Sequence, residues 1–189
     1  MRRSTSLRLA ASAAALSVIV GAGAYGTYSA FTDTTDNTGN TFAAGTIDIT
    51  DDDAGTAMFT LTGMLPGQPA TTRCINVSNV GTSPFANVAL SGAVGGTGLA
   101  TSLTVVVDRG TGATGGAAFN CAGFTVVTPN IVTGALSAFP TTASPVNDAT
   151  GWAPAAVKSY RFTVTLPSTA PQAAQGLNAT LAVTWTASS

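Results

Sequence analysis

The sequence contains no histidine and no glutamate. Those absences exclude a Ser–His–Asp triad, a Cys–His pair and every histidine-based metal site, because each needs an imidazole as base or ligand. Charge of either sign is scarce. Charged residues make up 8% of the 189-residue chain, against roughly 25% in ordinary soluble domains. Beyond Ala30 the only cations are Arg73, Arg109, Lys158 and Arg161, set against eight aspartates. Nucleic-acid binding needs a cationic footprint that releases counterions from phosphate, so that partner class is excluded. Amphipathic helical periodicity is also missing after Ala30, and cysteine occurs only twice, at Cys74 and Cys121.

What is present begins with an export segment. Arg2, Arg3 and Arg8 precede an apolar stretch, Leu7–Gly23, and no charge falls between Arg8 and Asp33. A basic start, an apolar core and small residues beyond it form a secretory signal. The uncharged span is also long enough to anchor in a bilayer. Ala, Gly and Ser fill much of it, however, and the strong apolar residues cluster at Leu16–Val20. Cleavage is the expectation, with membrane contact confined to the uncleaved precursor. Ser-Thr-Ser-Leu after Arg2-Arg3 fits a twin-arginine signal poorly, so general secretion is expected. Export places Cys74 and Cys121 in an oxidising setting, where a structural disulfide is expected. A bridge closing so long a loop is worth about 4 kcal/mol in the chain-entropy model.

From Ala44 onward the apolar period is two, the mark of strands with one buried face. Thr46–Thr50, Met58–Leu61, Thr71–Asn79, Ala86–Leu90, Leu99–Asp108 and Phe124–Thr128 read as strands, with a weaker one at Ile131–Phe139. The clearest are Lys158–Leu166, where Tyr160, Phe162, Val164 and Leu166 alternate with polar residues, and Asn178–Ala187, with Leu181, Val183 and Trp185 on one side. Cys74 falls on the opposite face to Ile75 and Val77, so a bridge there pins a loop over the outer surface. Gly92–Gly98 and Arg109–Ala118 read as loops, and Pro140–Ala156 as a long crossing plugged by Trp152. The expected fold is all-β, an antiparallel two-sheet sandwich that is jelly-roll-like or, alternatively, immunoglobulin-like.

No residue set suggests catalysis. Asp48 with Asp51-Asp52-Asp53 is the one acidic cluster, but three consecutive aspartates on an extended chain cannot all face one ion. A solvated turn is expected there, and no metal or other cofactor. The Gly-rich loops lack the Gly-Lys-Ser/Thr ending of a phosphate cradle.

The opening stretch carries a resemblance. Gly26-Thr27-Tyr28-Ser29-Ala30-Phe31-Thr32-Asp33, followed by Asn37-Thr38-Gly39-Asn40-Thr41-Phe42-Ala43-Ala44-Gly45-Thr46-Ile47-Asp48-Ile49, resembles the TasA/camelysin family of exported bacterial proteins with SipW-type signal peptides. Leu65-Pro66-Gly67-Gln68, Ile75–Gly81 and Ala174–Thr180 are similar to later family segments, with Gln68 in place of the usual Asp. The resemblance implies cleavage between Ala30 and Phe31. It divides the chain into a signal peptide (1–30), an extended segment (31–45) and a β-sandwich domain (46–189).

It also implies a jelly-roll domain at the cell surface or in the extracellular matrix. In some relatives an N-terminal segment pairs into the sheet of the next subunit, building biofilm fibres. Phe31 and Phe42 are then the candidate anchors of a donor segment; alternatively that segment is a tail or the protein's own edge strand. The family's metallopeptidase activity does not carry over, for want of His and Glu. Two functions are therefore expected to compete. One is a structural subunit that associates with itself or with other surface or matrix proteins. The other is a monomeric binding module or adhesin using Trp152 and the Gly-rich loops.

Overall fold

A computed structural model describes residues 45–59 and 64–188. Eight strands make up the described region: β1 Ile49–Asp51, β2 Thr71–Asn79, β3 Asn87–Gly96, β4 Thr104–Thr111, β5 Thr125–Ala135, β6 Val146–Asp148, β7 Val157–Thr165 and β8 Ala179–Ser188. They form a five-stranded sheet, β1-β2-β7-β4-β5, and a three-stranded sheet, β6-β3-β8. Every ladder is antiparallel. The expected two-sheet sandwich is what forms. Among the described residues no helix is long and apolar enough to cross a membrane.

The two-residue period explains which faces meet. Tyr160, Phe162 and Val164 of β7 are buried, and beside them lie Ile75 and Val77 of β2 and Val105 and Val107 of β4. Val88 and Leu90 of β3 complete the core from the other sheet. Between the sheets Trp152 stacks on Phe85 at 5.7 Å between ring centroids. It is 1% exposed, so the expected plug is real.

Several expectations about strands need correction: Arg109–Thr111 is the end of β4 and not loop, and Met58 and Phe59 lie outside any strand. Leu99–Thr101 forms a short 3₁₀ turn instead of opening the next strand. Gly92–Gly96 is not loop but the end of β3: the ring of Phe139 sits where a side chain at position 92 would go, 2.9 Å from an ideal Cβ. Pro129 does not end β5, which continues through it to Ala135. The Pro140–Ala156 crossing contains β6, which pairs with Val88–Leu90 of β3.

The sheet edges differ in how they are protected. Exposed backbone groups at an edge invite another chain, and short strands, proline and bulges discourage it. β1 and β6 are three residues each. β5 carries Pro129, a left-handed Asn130 (φ 52°), and a ladder to β4 whose register shifts twice. β8 has none of these devices. It is ten residues long, without proline, glycine or charge, and among the described residues it pairs only with β3.

Candidate functional site

Among the described residues, the unprotected edge of β8 borders an open flank of the sandwich. Its inward side chains Leu181, Val183 and Trp185 are only half-buried, whereas Tyr160, Phe162 and Val164 of the facing sheet are buried. Under this flank runs a cleft of about 650 Å³, walled by Met58, Phe59 and Met64, by Leu103, Phe162 and Val164, and by Leu177, Leu181 and Val183. Further along β8 a recess of about 310 Å³ is lined by Ile49, Thr50, Asp51, Val77, Val183 and Trp185. Val183 belongs to both walls, so the flank changes from apolar to polar along the strand. Burial, reinforced by neighbouring Asp53, raises the Asp51 carboxyl above its ordinary range. The Trp185 indole N–H is buried with no hydrogen-bond partner among the described residues.

The expected disulfide is present. Cys74 and Cys121 are bonded, with Cα atoms 5.0 Å apart. Cys74 is buried but stands outside the apolar core, and its N–H donates to Phe119 O at 3.0 Å. The bridge thus staples the segment from residue 112 to 124 over the outer face of the five-stranded sheet, as the parity of Cys74 implied. Asp52 supplies a second clasp. Its carboxylate accepts from the Asn76 N–H (2.9 Å), Asn76 Nδ2 (2.8 Å) and the Gly116 N–H (2.8 Å). Gly115 and Gly116 both have positive φ, which turns the amide of Gly116 onto that carboxylate.

The remaining sites divide cleanly. Ala30, Phe31 and Phe42 lie outside the described residues. Trp152 is enclosed by the sheets, so the surface contact expected of a Trp152-based binding module has no side chain to make it. Asp48 is exposed, Asp51 ends β1, and Asp52 and Asp53 open the turn that follows, in which Asp53 Oδ1 accepts from the Gly55 N–H at 2.6 Å.

One cluster was not anticipated from the sequence. Asp148 of β6 is 6% exposed, with Lys158 and Arg109 on its two oxygens. Lys158 Nζ donates to Asp148 Oδ2 at 2.8 Å, to Thr150 Oγ1 and to Gly151 O, and lies 4.4 Å from the Trp152 ring centroid. Thr150 donates both N–H and hydroxyl to Asp148 Oδ1. Burial alone would raise this carboxyl, but the hydrogen bonds from Lys158 and Thr150 outweigh it and hold the pKa at about 2. Burial also pushes the neighbouring Tyr160 phenol above its ordinary range. The cluster fastens β6 of one sheet to β4 and β7 of the other.

A profile of the camelysin metallo-endopeptidase family matches residues 1–99, which reach through β3. No curated protein matches the chain. The family description implies a metal centre, and the donors of the described residues do not fit one. Among those residues no group of three or more His, Cys, Asp or Glu side chains could hold an ion. The cysteines are bonded to each other. Asp52 is occupied by N–H donors, Asp108 by Arg161 and the Asn130 N–H, and Asp148 by two cations.

Proposed function

The chain belongs to the camelysin metallo-endopeptidase family, and from that premise we propose that it is an exported, non-catalytic structural subunit. It assembles into a fibre or biofilm matrix, outside the cell or at its surface, by adding residues 31–43 of one copy to β8 of the next. The observation that carries this reading is the edge of β8, the one edge left unprotected among the described residues, above an apolar cleft. An extended segment added there would pair its backbone with β8 and place alternate side chains between the sheets. Because donor and acceptor are different surfaces, the contact is head-to-tail and propagates. The non-catalytic part rests on donor chemistry: the chain has no His or Glu, and its buried carboxylates are engaged.

The test uses the full chain, expressed with its export segment in a secreting bacterial host, with the mature N-terminus read by mass spectrometry. Electron microscopy should show filaments, and removing residues 32–43 behind the Ala30–Phe31 junction should leave a folded monomer. Purified protein that stays monomeric across concentration, salt and pH would sink the fibre reading. Peptidase activity that is lost with a chelator and restored by metal would sink the non-catalytic one.

A further inference from the structure

Resting on strand addition at β8, we infer that Phe42, and not Phe31, is the side chain that enters the apolar end of the cleft, with Asn40 and Thr38 lying beyond it towards Asp51. In a strand, alternate residues share a face. Phe31 and Phe42 are an odd number of positions apart, so an unbroken strand turns only one of them inward.

The two possible inward faces carry different residues beside the aromatic. On the Phe31 face the next residue is Asp33, so seating Phe31 beside Leu181 brings a carboxylate to Ala179 of the apolar cleft in an antiparallel strand, or to Val183 at the mouth of the recess that holds Asp51 in a parallel one. Burying an unpaired carboxylate is costly, and a second carboxylate nearby raises that cost. On the Phe42 face Ala44 lies on one side, while Asn40 and Thr38 lie on the other. These are neutral and can hydrogen-bond. They meet the polar recess, where the Trp185 indole has no acceptor among the described residues. The nearest acid on this face, Asp36, is three inward positions from Phe42, about 20 Å along a strand. Matching the apolar-to-polar order of the flank, Leu181 then Val183 then Trp185, runs the incoming segment antiparallel to β8.

Four variants of the full exported chain test this by the concentration needed for filaments, with intact mass and thermal unfolding as controls on processing and folding. Phe42→Ala should raise that concentration by roughly tenfold or more, and Phe42→Leu should restore assembly. Asn40→Asp points a charge inward and should impair assembly comparably, whereas Thr41→Asp points outward and should assemble as the parent does. Normal assembly of Phe42→Ala overturns the inference, as does tolerance of Asn40→Asp or damage by Thr41→Asp. In those cases strand addition itself stands, provided that parent filaments require residues 32–43. A parent chain that forms no filaments, or forms them without that segment, overturns both.

Discussion

Lys158 Nζ and Asp148 Oδ2 meet at 2.8 Å between the two sheets, and Arg109 takes the other oxygen of the same carboxylate. One anion is therefore shared by two cations that would otherwise face an interior of Trp152 and Tyr160 without a counter-charge. Replacing Asp148 by Asn should leave both cations underpaired and cost about 3–5 kcal/mol, read as a lower denaturation midpoint. An Asp148→Asn protein as stable as the parent would show that the cations relax to solvent.

The same carboxylate gives the fold an acid limit. Its folded pKa of about 2 lies below the unfolded 3.8. Its stabilisation is thus fully present above pH 3.8 and is lost as pH falls through the folded value. The difference corresponds to about 2 kcal/mol. Unfolding free energies measured at successive pH values between these limits should fall in the parent, with a shallower slope in Asp148→Asn.

Lys158 Nζ and the Asp148 carboxyl, 2.8 Å apart, are within reach of condensing to an amide. Condensation needs a neutral amine and a protonated carboxyl. Here the hydrogen bonds from Lys158 and Thr150 hold the carboxylate ionised. The intact mass should equal that of the sequence less the two hydrogens lost in forming the disulfide, with no further loss of one water, and peptide mapping should recover Lys158 and Asp148 uncoupled.

Replacing both cysteines by Ala should destabilise the fold by about 2–4 kcal/mol. The segment over the outer face should nonetheless remain placed, because Asp52 still holds the Gly116 N–H. Hydrogen exchange should show Gly116 protected in Cys74→Ala/Cys121→Ala and unprotected once Asp52→Ala is added.

An inward-pointing lysine is a natural way to protect a sheet edge. Val183→Lys places one at the half-buried middle of β8, where its stem can lie along the flank and its ammonium can reach water. The substituted chain should fold, with its disulfide intact, and stay monomeric under conditions in which the parent forms filaments. Filaments of unchanged abundance would show that assembly uses another surface.

The strands whose apolar residues alternate cleanly were legible before any coordinates. Thr71–Asn79 matches its reading end to end, and Lys158–Leu166 and Asn178–Ala187 match to within a residue or so at each end. Failures came where glycine or proline was given its usual meaning. Gly92 is required because Phe139 packs against it, and Pro129 is tolerated because β5 is an edge. The ionic cluster left a trace too: Lys158 shares the parity of Tyr160 and Phe162, and Arg109 that of Val105 and Val107. Two rare cations on inward positions imply a buried anion. Asp148 itself could not be read as that anion, because it lies in a Pro-punctuated crossing whose three-residue strand is too short to show a period. The open edge of β8 is legible only by comparing all four edges, which requires the strand order.

The uneven protection of those edges sets a valence. On the proposed assembly, a subunit with one acceptor edge and one donor segment would make two bonds of one kind, so growth would be linear and every filament would have two chemically different ends. Pro129 and the bulge at Asn130 withhold the second acceptor that branching would need.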